Sequence, residues 1–138
     1  MRVAIIGQGY VGLTIAVDAA AAGNTVVGFD VNADLVKALN SGVSHIEGIS
    51  DSALKSLLSN STYTASTDAS SVNGCDVIVI AVPTPLTESR EPDLSFVHAA
   101  VELIQNNVKN PTLVINESTS YPGTLRDMII PIVSKLKP

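Results

Sequence analysis

Six residues, Gly7-Gln8-Gly9-Tyr10-Val11-Gly12, follow directly on the apolar run 3–6 and lead into a segment of helical period. A glycine cluster at such a junction turns the chain sharply, because glycine adopts positive φ freely and lets backbones approach without a Cβ. A strand passed straight to a helix opens a βαβ unit, which closes right-handed onto a parallel sheet. The rest of the chain repeats this alternation. Runs rich in Val and Ile at 2–6, 25–30, 75–82 and 112–116 read as strands buried on both faces, with a weaker strand at 62–65. Segments of helical period lie at 11–22, 33–41, 51–58, 93–106 and 124–136. The prediction is an α/β domain: a Rossmann-type doubly wound parallel sheet in order 3-2-1-4-5, with helices on both faces as three layers.

Local signals place some boundaries. Asp93, after Pro92 and before the periodic row Leu94, Val97, Val101 and Ile104, is the expected N-cap of its helix. Asn110-Pro111 ends that helix, and Pro131 should kink the last one near Asp127. The alanines at 19–22 are expected to bring the first helix close to the sheet.

A chain of 138 residues has room for one domain that buries roughly two thirds of its surface without staples. Apolar residues at 46% and charged residues at 15% exclude disorder. No apolar run approaches a membrane span, and no signal peptide is expected, since the opening residues run at once into the glycine motif. The net charge is −5 and Lys and Arg are scattered singly, so a nucleic-acid partner is not expected. The single Cys75 permits no internal disulfide, and a cytoplasmic location follows as the expectation. His45, His98 and Cys75 stand at unrelated positions, without metal-ligand spacing.

The glycine motif carries chemistry as well as shape. Gly7 supplies the tight turn, Gly9 leaves room for a pyrophosphate against the backbone, and Gly12 allows close helix–strand packing. The helix N-terminus then offers N–H groups and a positive dipole end to phosphate. Alone, such a motif can also be an ordinary turn. Asp30 ends the second strand 18 residues beyond Gly12, where the carboxylate that binds the adenosine ribose of a dinucleotide belongs. The competing reading of Asp30 is a strand-end acid that caps the next helix. No arginine lies between Val31 and Lys37 to receive a 2′-phosphate, so NAD is favoured over NADP.

Two loops should share the carboxyl edge of the sheet. In 82–87, Pro83 and Pro85 stiffen the chain and Thr84 between them can offer a hydroxyl to a ligand; a rigid turn is the plainer reading. In 117–124, Glu117, Ser118, Thr119 and Ser120 could form a polar ligand wall or an elaborate N-cap. Neither loop holds a nucleophile with its base. Cys75 is expected in the core, His98 and Asp18 on solvated helix faces, and His45 in a surface loop.

Together these segments resemble the N-terminal domain of the UDP-sugar 6-dehydrogenases, in the UDP-glucose/GDP-mannose dehydrogenase family. The resemblance rests on GQGYVGL at 7–13, FDVN at 29–32, SGVSHIEGISD at 41–51, VPTPLTESREPDLSFV at 82–97 and ESTSYPGT at 117–124. The last two are most similar to enzymes that act on UDP-N-acetylhexosamines, and Tyr121-Pro122-Gly123 leans toward UDP-N-acetylglucosamine over UDP-N-acetylmannosamine. The resemblance implies two successive NAD-dependent oxidations of the sugar C6 alcohol to a carboxylate, in polysaccharide biosynthesis. It implies NAD contacts from Gln8, Tyr10, Val11, Asp30, Thr84 and Thr119, beside Gly7, Gly9, Gly12, Pro83 and Ser118. Thr119 also matches a threonine that places a water near the reacting carbon. The basic residue often found after the ribose acid is missing, since Asp34 and Leu35 stand there.

The family's catalytic cysteine, lysine and substrate domain fall beyond Pro138. The chain is therefore expected to be the cofactor domain of a homo-oligomeric enzyme, inactive and monomeric or weakly associating by itself. Alternatives are another NAD-dependent dehydrogenase, such as a UDP-glucose 6-dehydrogenase, or a non-catalytic NAD-sensing domain. If Asp30 selects NAD by charge, Asp30→Ser with Val31→Arg in an enzyme that carries this domain should move preference toward NADP, because like charges a few Å apart repel even at an effective dielectric of about 20. An unchanged NAD/NADP ratio of kcat/KM refutes the assignment.

Overall fold

The computed structural model describes residues 1–134, so the end of the helix expected at 124–136 lies outside the described residues. Five strands form one parallel sheet: β1 (Arg2–Ile6), β2 (Thr25–Phe29), β3 (Tyr63–Ser66), β4 (Val77–Ile80) and β5 (Leu113–Asn116). Their order is β3-β2-β1-β4-β5, as expected. Helices α1 (Tyr10–Ala21), α2 (Ala33–Asn40), α3 (Asp51–Ser59) and α4 (Ser95–Asn107) connect them, and a short α5 (Ile130–Val133) follows β5. No described helix is long and apolar enough to cross a membrane.

The strands alternate side chains between two cores, as the period-2 pleat requires. Val3, Ile5, Val26, Tyr63 and Val79 meet Leu13, Ala16, Leu39 and Leu54 of α1, α2 and α3. Ala4, Ile6, Val27, Phe29, Ile78 and Ile80 meet Val97, Val101 and Ile104 of α4 on the other face. The apolar continuity of β1, β2 and β4 is thus the signature of burial on both sides.

Several local expectations change. β5 is not buried on both faces: Leu113 is 59% exposed, because among the described residues β5 pairs only with β4. Asp93 is not the N-cap of α4. Its N–H is tied back to the Pro85 carbonyl (2.7 Å) and its carboxylate accepts from Ser95 N (2.9 Å), which leaves Leu94 at the cap. In place of one continuous helix, a π-helical stretch, Thr124–Ile129, that includes Asp127 leads into α5, which holds Pro131. A short 3₁₀ turn, Ala69–Val72, was not foreseen; Asp68 caps it through Ser70 N (2.9 Å).

Only part of the alanine run makes the close contact of α1: Ala20 is buried and Ala19 packs against the core, while Ala21 and Ala22 face solvent. Ala20 continues the row of Gly12 and Ala16, spaced one helical turn apart and likewise buried. A Cβ on Gly12 would lie 1.8 Å from the Gly7 carbonyl oxygen, so the first turn of α1 can press on the glycine loop only with glycine there. Gly12→Ala should lower Tm by roughly 5–15 °C as an overpacked contact, whereas Gly9→Ala, whose Cβ would meet nothing within 4 Å, should shift it by about 3 °C at most. Thermal melts of the two variants decide this, and equal losses would contradict the packing account.

Candidate functional site

A cavity of about 570 Å³ opens at the carboxyl ends of β1, β2, β4 and β5. That is within the range of small-molecule sites. Its floor is the glycine loop. Gly7 sits at φ +92°, and its N–H donates to the Phe29 carbonyl (2.8 Å), which binds the loop to the end of β2. A helix cannot satisfy its own first-turn N–H groups. In α1 no side chain caps them, and no carboxylate stands in the first turn. Gly9, Tyr10 and Val11 line the cavity at this uncapped end.

Asp30 lines the same cavity. Its Oδ2 accepts from Gln8 N (2.8 Å) and its Oδ1 from Asn32 N (2.9 Å). The two backbone donors fix the carboxylate plane and leave lone pairs free for a ligand hydroxyl. The helix-cap reading of Asp30 does not hold, since Asn32 caps α2.

Three residues expected at the cofactor have partners of their own within the fold. The Gln8 side chain is fully buried and turned away from the cavity. It packs where Gly28 leaves room, and its amide finds partners beneath the loop in Ile5 O, Gly7 O and the Tyr63 hydroxyl. Gly12 is buried against Gly7 and does not line the cavity. Ser118 reaches the cavity wall, but its hydroxyl accepts from Val82 N (2.9 Å) and donates to Ile80 O (3.4 Å), tying the ends of β4 and β5 together.

Pro83, Thr84, Glu117 and Thr119 line the cavity as expected of their loops. The 117–124 loop is therefore divided: Glu117 and Thr119 face the cavity, while the buried Thr124 hydroxyl donates to Tyr121 O (2.9 Å) and holds the following turn. The apolar wall was missed. Val31 and Leu35 face Phe96, Ala99, Ala100 and Leu103 of α4 across the cavity. The i, i+3, i+4, i+7 spacing on α4 was the available signal, but the adjacent core row of the same helix masked it.

Other titratable residues stand apart. Cys75 precedes β4, at the end of the strand remote from the cavity, and burial pushes its thiol pKa up while Arg2 opposes the shift. His45 is exposed, and His98 lies 3.5 Å from Glu102 on the surface of α4. Among the described residues no group of three His, Cys, Asp or Glu is placed to hold a metal ion.

The profile of the UDP-glucose/GDP-mannose dehydrogenase family, NAD binding domain, matches residues 1–138. The UDP-N-acetyl-D-mannosamine dehydrogenase of Pyrococcus horikoshii is 39% identical over 129 residues, 93% of this chain and 31% of that protein. The UDP-N-acetyl-D-glucosamine 6-dehydrogenase of Pseudomonas aeruginosa is 34% identical over 135 residues, 98% of this chain and 31% of the relative. A solved structure of the Pyrococcus horikoshii UDP-D-ManNAc dehydrogenase superposes with a TM-score of 0.92 at 36% identity, covering 99% of this chain and 32% of that one. The chain thus spans about a third of the length of the curated relatives it matches.

Because the space over Gly9 is open, a side chain there should obstruct a ligand rather than the fold. Gly9→Ala should weaken NAD binding roughly tenfold or more, as a contact overpacked by about 1–3 kcal/mol. Titration calorimetry on the folded variant checks it, and wild-type affinity would show that nothing approaches residue 9.

Proposed function

This chain belongs to the UDP-glucose/GDP-mannose dehydrogenase family, whose NAD-binding domain it matches over residues 1–138, and we propose that it is the cofactor domain of a UDP-N-acetylhexosamine 6-dehydrogenase. The observation that carries the reading is one cavity bounded by both an uncapped helix N-terminus and a strand-end carboxylate. The first suits a pyrophosphate and the second a ribose diol. Gly7, Gly9, Tyr10 and Val11 bound the phosphate region and Asp30 the ribose. Val31 and Leu35 flank the base with an apolar surface, and Pro83, Thr84 and Thr119 form the wall on the reacting side.

NAD, when bound, supplies a hydride acceptor. The chain's own residues orient it, and Thr119 holds a water or substrate hydroxyl near the reacting carbon. The aldehyde-level oxidation needs a nucleophile to form a tetrahedral adduct. Cys75 is unsuited to that role, because burial suppresses its thiolate. The nucleophile and the sugar site therefore belong to other parts of the enzyme. The names of the Pyrococcus and Pseudomonas relatives support the substrate class. The whole enzyme is read as a cytoplasmic homo-oligomer, a compartment that suits a lone buried thiol.

Calorimetry at millimolar NAD should give binding heat for this chain, and Asp30→Ala should abolish it. In a chain of the relatives' full length, UDP-N-acetylglucosamine and UDP-N-acetylmannosamine should be turned over in preference to UDP-glucose. There Thr119→Ala should lower kcat on the order of 100-fold, while Cys75→Ser leaves it nearly unchanged. Heat that survives Asp30→Ala, or turnover abolished in a folded Cys75→Ser enzyme, would overturn this reading.

A further inference from the structure

Beneath the glycine loop lies a buried polar cluster that the cofactor reading does not use. The Gln8 side chain has no exposed surface. Its Nε2 donates to Ile5 O (3.0 Å) and Gly7 O (3.1 Å), and its Oε1 accepts from the Tyr63 hydroxyl (2.9 Å). Both amide hydrogens and one carbonyl lone pair are thereby engaged, which leaves the amide a single orientation. A flipped amide would set its oxygen against two carbonyl oxygens.

The cluster spans three strands. Tyr63 stands on β3, which pairs with β2, and β2 in turn pairs with β1. Its side chain can reach Gln8 because β2 carries Gly28 between them. A Cβ at residue 28 would lie 2.3 Å from Gln8 Oε1. The φ of Gly28 is not positive, so space rather than backbone conformation requires glycine there.

We propose that Tyr63, which does not line the cavity, is a positioning residue for the cofactor site, acting through the Gln8 amide on the glycine loop and on Asp30. The proposal rests on the reading of the cavity as an NAD site. The link is direct at each step. Tyr63 fixes the Gln8 side chain, which clamps the backbone at Gly7 from below. The Gln8 backbone N–H holds Asp30 Oδ2 at 2.8 Å. Gln8 is also the residue between Gly7 and Gly9, so a displaced side chain moves the loop and the carboxylate together. Burial, and after it the charge of Asp30, raise the Tyr63 pKa, so the hydroxyl remains a donor at neutral pH. Removing it strands a buried carbonyl oxygen, which regains a partner only if the side chain leaves its slot.

The test is NAD affinity by calorimetry, at a temperature where circular dichroism shows each variant of the 138-residue chain folded. Tyr63→Phe should weaken NAD binding about three- to tenfold, the size of one neutral hydrogen bond. It should also shift the backbone amide resonances of Gln8 and Gly9 but not those of α4. A residue that only supports stability would lower Tm and leave both readouts unchanged. Gln8→Met, which keeps the slot filled without the amide, should give the same loss of affinity and decides the matter if Tyr63→Phe does not fold. Wild-type affinity in either folded variant overturns the proposal. If instead the unsubstituted chain and Asp30→Ala bind NAD equally, the cofactor reading itself fails, and the two failures are distinct.

Discussion

β1 hydrogen-bonds in parallel to β2 on one side and to β4 on the other, and the cavity depends on that double pairing. Parallel crossovers close right-handed, so the connections that step outward from β1 to β3 and those that step outward from β4 to β5 must cover opposite faces of the sheet. Helices α1, α2 and α3 pack on one face and α4 on the other. Beyond the ends of β1 and β4 no helix can fill the gap, and a crevice remains where the strand order reverses. The glycine loop, the end of β2 and the loops after β4 and β5 are gathered there by topology, whatever chemistry they carry.

The crevice acquires its chemical character from how two opposite charges are managed. The N-terminus of α1 is a partial positive charge without a cap, and Asp30 is a full negative charge at the neighbouring strand end. Asp30 does not cap α1. The backbone N–H groups of Gln8 and Asn32 hold it instead, so the helix end is left available to an anionic ligand. Ser118 works similarly on the far side, where its hydroxyl joins the β4 and β5 ends and leaves Thr119 to face the cavity.

Much of this was legible in the residues. Glycines at 7, 9 and 12, Val- and Ile-rich runs, and Asp30 at a strand end are local signals: the structure sets Gly7, Gly9 and Asp30 at one cavity, buries Gly12 against Gly7, and forms strands from the apolar runs. The short-range expectations that the structure corrects have identifiable causes. The immediate neighbours of Asp93 predict a helix cap, but a hydrogen bond to Pro85 holds it in the preceding loop. The apolar run 112–116 reads as a strand buried on both faces, yet among the described residues β5 pairs only with β4, which leaves Leu113 exposed.

What the sequence alone determined was the alternation of strands and helices, the strand order, and the junction where the glycine loop meets Asp30. These follow from periodicity, handedness and the absence of a Cβ at particular positions, all properties of short stretches of chain. Only the tertiary structure decided which way side chains of mixed character point. Gln8 sits within the binding motif and could have faced either the ligand or the core. Its direction depends on Gly28 and Tyr63, 20 and 55 residues away, which are brought beneath it by strand register. The apolar wall of α4 is of the same kind. One helix carries two adjacent apolar rows, and the sheet against which it packs selects which becomes core and which faces the cavity.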